Sequence, residues 1–192
     1  MKSFKEIAVP AFVLFAICLV ATFLLAMTNS VTAPRIAALA DDAEKSSRTE
    51  VLPDAVSFCG GKSLQYDGND YTYFVGCDKD GGIVGFTFTT SAKGYGGDIV
   101  IMTGIDTFGK VTGITALELN ETAGLGMKAQ SESFRSRFIG KSGVIGVSTA
   151  GGGAENSVDA ITGATITTKA VTDAVNDALL LFEQVKEAGA NG

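Results

Sequence analysis

The chain has 192 residues, a formal net charge of −6 and no histidine. That length fits one domain plus an appendage, and an acidic balance with no basic run argues against nucleic acid as a partner. Without imidazole there is no histidine-ligated haem, histidine-dependent zinc site or imidazole base. Cys59 and Cys77, the cysteines outside an apolar run that holds Cys18, cannot alone complete a four-cysteine zinc site or an iron–sulfur cluster.

From the N-terminus, residues 7–34 contain no charged side chain. Residues 7–27, IAVPAFVLFAICLVATFLLAM, are long enough to cross a hydrocarbon core at about 1.5 Å per residue. The run exceeds the roughly 7–15 residues of a secretory h-region, and MTNSVTA offers no small-x-small cleavage site. Bulky Ile17 before Cys18 argues against a lipoprotein. The expectation is a retained anchor over 1–28. Lys2 and Lys5 flank its start, while Arg35 at the far end is soon followed by Asp41, Asp42 and Glu44. Positive residues favour the cytoplasmic side, so the N-terminus is expected inside and the remainder outside.

A helical stalk is predicted over 29–54, with Pro34 in its first turn, Ile36 and Leu39 staggered, and Pro53 ending it. The domain proper is predicted over 55–192. It opens with β-type runs SLQYDGNDYTYFVGC, GGIVGFTFTT, GGDIVIMTGID and GKVTGITALEL, with turn signals at Asp67-Gly68 and Asp80-Gly81-Gly82. Cys59 and Cys77 fall here, as one disulfide or as two free thiols. AQSESFRSRFIGK is a short helix candidate, with Phe134 and Phe138 four apart, and SGVIGVST is a further strand before the loop AGGGAENS. The clearest helix runs over about 167–187, where Val171, Ala174, Val175, Ala178, Leu179, Phe182 and Val185 repeat opposite Asp173, Asp177 and Glu183. Strands in series with helices at the ends give an α+β fold around an antiparallel or mixed sheet.

Most catalytic templates are missing. There is no P-loop and no G-x-S-x-G, and GLGMKA at 124–129 lacks the βαβ surroundings of a dinucleotide site. Asn120-Glu121-Thr122 is a formal glycosylation triplet of a kind that arises often by chance. Three stretches stand out. KGYGGDIVIMTGID places glycines around Tyr95 before a strand, either as a tight turn or as part of a site. ELNETAGLGMK follows a strand, either as a loop or as a place where backbone approaches a flat ring with Leu125 on its face. AITGATITTK crowds Thr162, Thr165, Thr167 and Thr168 before the last helix. Thr167 or Thr168 would serve as N-cap, and free N–H groups at a helix start also suit a phosphate.

In that order, GYGGDIVIMTGID, ETAGLG and DAITGATITT resemble the FMN-binding domain of bacterial redox-driven ion pumps. The resemblance is nearest to the G subunit of Rnf complexes, with the C subunit of Na+-pumping NADH:quinone oxidoreductases as its relative. It covers essentially the whole chain and implies a membrane anchor, a stalk and a flavin domain with a mainly antiparallel sheet and flanking helices. The family motif D-x-x-[ST]-G-A-T followed by Ser or Thr corresponds to Asp159, Thr162, Gly163, Ala164, Thr165 and Thr167. Thr165 is thereby implied to carry FMN through a phosphoester bond installed by a dedicated flavin transferase. The family's E-T-P-G-L-G implicates Glu121, Thr122, Gly124, Leu125 and Gly126 around the flavin, with Ala123 here in place of proline. Tyr95, Gly96 and Gly97 join them from the first stretch.

The resemblance further implies an electron-transfer subunit of a complex that couples ferredoxin–NAD+ electron flow to Na+ or H+ translocation. Its partners would be integral membrane subunits, with the chemistry in the flavin rather than in any catalytic side chain. A covalent tether suits a flavin outside the membrane, where a lost one is not replaced from the cytoplasm. Two other outlines share parts of the pattern: a free-standing extracytoplasmic flavin carrier, and a pilin-like structural protein. The second lacks the usual Gly before the cleavage point and the Glu early in the apolar helix.

Overall fold

Alternation of apolar and small polar residues through the middle of the chain produces a five-stranded antiparallel sheet of order β1-β2-β3-β4-β5. The strands are β1 Ser57–Tyr66, β2 Asn69–Cys77, β3 Ile83–Lys93, β4 Asp98–Asp106 and β5 Val111–Leu119. The computed structural model describes residues 2–66, 68–149 and 156–190. Asp67 of the first expected turn and residues 150–155 of the expected loop lie outside the described residues. The chain divides into two units, residues 1–43 and 44–192.

The first helix, α1, is Lys2–Val51. The anchor and stalk expected as separate elements fall in this one helix, and Pro34 is internal, not in a first turn. Proline removes one ladder bond; nearby, Thr28, Ser30 and Thr32 donate to the carbonyls of Leu24, Met27 and Thr28. By length and composition α1 can cross a membrane. Phe12 and Phe23 on it are 72% and 65% exposed, as suits a lipid surrounding rather than water.

Within the second unit, the sheet has a helix on each face. One face takes the end of α1. Val51 and Leu52 are buried there, the Thr112 hydroxyl donates to the Val51 carbonyl, and the Arg48 guanidinium stacks 3.4 Å above the Phe74 ring. Gly104 and Gly113 face each other on β4 and β5, and a Cβ at Gly104 would collide with the Val51 carbonyl. The Arg135 guanidinium ties Glu50 to the Ile114 carbonyl and the Thr115 hydroxyl.

The other face carries the last helix, α3, Thr165–Ala190. Its predicted stripe of Val171, Ala174, Val175, Ala178, Leu179 and Phe182 is buried together with Phe88, Ile99, Ile101, Ile105 and Ile114 of the sheet. The Thr90 hydroxyl on β3 donates to the Ala174 carbonyl at 2.8 Å.

Between β5 and α3 the backbone is irregular. The single helix expected over 129–141 is instead a 3-10 turn at Gly126–Gln130, a one-turn α2 at Glu132–Arg135 and another 3-10 turn at Ser136–Phe138. Phe134 and Phe138 meet edge to face at 5.5 Å. The expected strand over 142–149 contracts to β6, Gly146–Ser148, which pairs in parallel with an unexpected β7, Ser157–Asp159. The Asn176 side chain accepts from the Ile145 N–H at 2.9 Å and donates to its carbonyl at 3.0 Å, so Ile145 bonds to α3 instead of extending the ladder.

Candidate functional site

Strand β7 delivers the chain to a tight turn at Ile161–Ala164, closed by the Ala164 N–H on the Ile161 carbonyl at 2.9 Å. Gly163 occupies the third position with φ +79°, a conformation that favours glycine, and Thr162 takes the second position. Helix α3 starts directly afterwards at Thr165.

The expected capping role of Thr167 or Thr168 is therefore corrected. Both residues lie inside the first turn and are buried, at 2% and 0% exposure. The Thr168 hydroxyl accepts from the Ile161 N–H at 3.0 Å and donates to the Ala164 carbonyl at 3.0 Å, binding the turn to the helix from within. Thr167 points the other way and donates to Glu121 Oε2 at 3.1 Å. Thr165 is exposed, and among the described residues its hydroxyl has no hydrogen-bond partner.

Glu121 joins three elements. Its Oε1 accepts from the backbone N–H groups of Tyr95 at 2.7 Å and Gly96 at 3.2 Å, while Oε2 takes the Thr167 hydroxyl. The loop between β3 and β4, closed by the Gly94 N–H on the Gly97 carbonyl, is thus held to the start of α3 by one carboxylate. Two glycines make the approach possible. A Cβ on Gly96 would collide with the Asn120 carbonyl, and one on Gly126 would lie 2.7 Å from Glu121 Cβ and 2.8 Å from Thr167 Oγ1.

These elements form a half-open cavity of about 620 Å³ lined by Tyr95, Glu121, Thr122, Leu125, Gly126 and residues 163–167. Nine of the residues expected at a flavin site thus come together: Tyr95, Glu121, Thr122, Leu125, Gly126, Gly163, Ala164, Thr165 and Thr167. The other five do not line it. Asp159 is exposed at the end of β7, with its carbonyl taken by Arg137 Nη1 at 2.8 Å. Thr162 faces a separate hollow with Lys128, Ser131 and Arg137. Gly96 and Gly97 form the back of the β3–β4 loop, and Gly124 turns the chain ahead of Leu125 with φ +78°. Ile166 is a lining residue that sequence reasoning missed. Its signal was an isoleucine on the outer side of an otherwise regular helix, where it is 55% exposed.

The lining suits a flavin mononucleotide. The volume lies within the usual range for small-molecule sites of about 300–1,000 Å³. Tyr95, Leu125 and Ile166 are 72%, 43% and 55% exposed, offering apolar surface to a flat ring. No Lys or Arg is among the described lining residues, so the N–H groups of Thr165, Ile166 and Thr167 at the start of α3, with the Thr122 and Thr165 hydroxyls, are the donors open to a phosphate.

A family described as the FMN-binding domain matches residues 94–180, and one described as the RnfG N-terminal region matches residues 1–51. The chain is 36% identical to the G subunit of the Na(+)-translocating ferredoxin:NAD(+) oxidoreductase complex of Acetobacterium woodii, over 91% of each chain. The chain belongs to the Rnf complex G-subunit family. Within that family it is also 33% identical to the G subunit of the ion-translocating oxidoreductase complex of Methanosarcina acetivorans, covering 93% of this chain and 96% of that one. The crystal structure of NqrC from Shewanella oneidensis shares the fold of this G-subunit chain, with a TM-score of 0.53 at 21% identity over 70% of this chain and 73% of that one.

Proposed function

We propose that the chain is the electron-transfer flavoprotein subunit of a membrane-bound, Rnf-type ferredoxin:NAD+ oxidoreductase that drives Na+ or H+ translocation, with FMN joined to Thr165. One observation carries the reading: the unpartnered Thr165 hydroxyl opens into a flavin-sized cavity at the start of α3.

FMN, when bound, supplies one- and two-electron redox chemistry. The chain's own residues hold and orient it. Thr165 Oγ1 would hold the phosphate as an ester. The first-turn N–H groups of α3 stabilise the remaining negative charge by roughly 0.3–1 kcal/mol, so the ester and not this attraction keeps the flavin through unfolding. Leu125 and Ile166 provide apolar surface for the ring, while Glu121 holds the Tyr95 loop in place as a wall. A flavin transferase would find the Thr165 hydroxyl exposed beside Gly163 and Ala164, where side-chain bulk is small. Lys2, Lys5 and the uncharged 7–34 run support an N-terminus in the cytoplasm and a flavin domain outside it.

Co-expression with a flavin transferase tests the reading. The wild type gives a fluorescent flavin band on a denaturing gel, and Thr165→Ala loses the band while remaining folded. A band retained in Thr165→Ala, with flavin mapped to another threonine, would show the attachment residue to be wrong. No band from wild type with an active transferase would remove the covalent reading. Co-purification with polytopic membrane subunits separates the complex subunit from a free-standing flavin carrier.

A further inference from the structure

A second reactive group lies on the β1–β2 hairpin, apart from the cavity. Cys59 of β1 and Cys77 of β2 place their Sγ atoms 3.6 Å apart. Cys59 pairs across the ladder with Val75, and Cys77 with Ser57. The two cysteines are therefore diagonal neighbours on one face, with the Phe58–Gly76 pair between them. A regular ladder sets diagonal neighbours about 7–8 Å apart at Cα, beyond the roughly 7 Å that a disulfide spans without backbone movement. Here the register shifts beside both cysteines: in the β1–β2 pairing between Cys59 and Lys62, where β1 carries the extra residue, and in the β2–β3 pairing between Gly76 and Cys77, where the extra residue is Val84 of β3. The β1 irregularity contains Gly60 and Gly61, and a Cβ on Gly60 would meet nothing within 4 Å. Backbone slack and open space coincide where two sulfurs must close from 3.6 Å to about 2.05 Å.

The two thiols differ in access. Cys59 is exposed and Cys77 is buried. We propose that Cys59 and Cys77 form a dithiol site that exchanges with disulfides, either small-molecule or protein, and closes to an intramolecular disulfide with Cys59 as the entry thiol and Cys77 as the resolving thiol. The hydrogen bond to Cys59, together with burial and the nearby Asp78 charge, raises the Cys77 thiol above its ordinary pKa. Its thiolate is correspondingly scarce, which favours the same order of attack.

The exchange balances. The Cys59 thiolate attacks one sulfur of a disulfide R–S–S–R, forming a Cys59–S–S–R bond and releasing one thiolate, which takes up the proton Cys59 has lost. The Cys77 thiolate then attacks Cys59 Sγ, forming the Cys59–Cys77 bond and releasing the second thiolate, which takes up the proton from Cys77. Two electrons pass from the two cysteines to the incoming disulfide, which leaves as two thiols. The product fastens β1, an edge strand of the sheet, to β2 at the end where the Val56 N–H already bonds the Cys77 carbonyl at 2.8 Å. None of this depends on the flavin assignment.

Oxidised glutathione is the probe, applied anaerobically to the reduced full chain in detergent, in a Cys18→Ala background. After acid quenching and alkylation with N-ethylmaleimide, the digest is mapped by mass. The chain carrying both cysteines yields a cross-linked Cys59–Cys77 peptide pair lacking both alkyl groups. Cys77→Ser stops at a glutathione adduct on Cys59, and Cys59→Ser forms its adduct on Cys77 about tenfold more slowly. If both thiols of the unsubstituted pair are still alkylated when the folded Cys77→Ser chain already carries its adduct, the pair does not close and the proposal fails. It fails equally if Cys77 is the faster of the two to react in folded single variants. The arm with both cysteines needs no buried substitution and decides closure even where a serine variant misfolds.

Discussion

Removing the Glu121 carboxylate should release the Tyr95 loop while leaving the sheet beneath it intact. The carboxylate accepts two N–H bonds from that loop, at 2.7 and 3.2 Å. Both are at an exposed site, which places them at the low end for a charged acceptor, about 1.5 kcal/mol each. Glu121→Ala removes both, and water takes back part of the loss, leaving a local cost of about 2 kcal/mol. Glu121→Gln keeps an oxygen toward the loop and turns its NH₂ to Thr167, whose hydroxyl can accept as well as donate, so the charge alone is lost at about 1 kcal/mol. At about 1.4 kcal/mol per tenfold, these figures correspond to openings about 30-fold and about fivefold more frequent. Amide hydrogen exchange on the full chain in micelles reads them directly. The Tyr95 and Gly96 amides should speed up by those factors, while amides in the centre of β4 keep their wild-type rates. Wild-type rates at Tyr95 and Gly96 in a folded Glu121→Ala chain would refute the reasoning.

Other substitutions separate the roles of neighbouring residues. Thr168→Ala strands the buried Ile161 N–H and loses a bond to the Ala164 carbonyl, costing about 2 kcal/mol in denaturant unfolding; Thr165→Ala, at an exposed and unpartnered hydroxyl, stays within about 0.5 kcal/mol of wild type. Gly126→Ala drives a methyl group between Glu121 and Thr167 and should accelerate exchange at Tyr95 and Gly96 much as Glu121→Ala does. With flavin attached, Glu121→Gln removes a negative charge from the cavity wall and should raise the midpoint potential in a redox titration without reducing flavin content. Partial burial, helped by the Asp173 charge, holds the Asp177 carboxyl above its ordinary 3.8. The folded state then binds a proton more readily than the unfolded state, so this site's cost is absent below the unfolded pKa and complete above the folded one. Asp177→Asn should stabilise the chain near neutral pH and lose that advantage in acid, as denaturation midpoints taken across the range will show.

The sequence by itself determined those features whose physics is local. An uncharged apolar run long enough for a bilayer predicts a spanning helix. A 3.6-residue repeat from Val171 to Phe182 fixes which side of α3 is buried, because period and burial are the same constraint. The crowding of threonines before α3 picked out a segment that lines the cavity, and the resemblance of three short stretches to a flavin domain picked out most of the other residues that line it.

Only the tertiary structure decided what each of those residues does. Thr167 and Thr168 are adjacent hydroxyls with equal local claims to a helix cap, yet one bonds inward to its own turn and the other bonds a carboxylate 46 positions away. Glu121 read as a residue near a ring; its three hydrogen bonds make it the tie between a hairpin loop and a helix start, and no spacing encodes partners 25, 26 and 46 residues distant. Cys59 and Cys77 read equally well as bridged or separate, since strand pairing and its register breaks set the distance between two sulfurs. The end of α1 read as stalk because its alternation is weak, and it is buried because glycines on β4 and β5 leave a flat bed for Val51. In each case the deciding energy comes from contacts between segments far apart in the chain, which short-range pattern cannot carry.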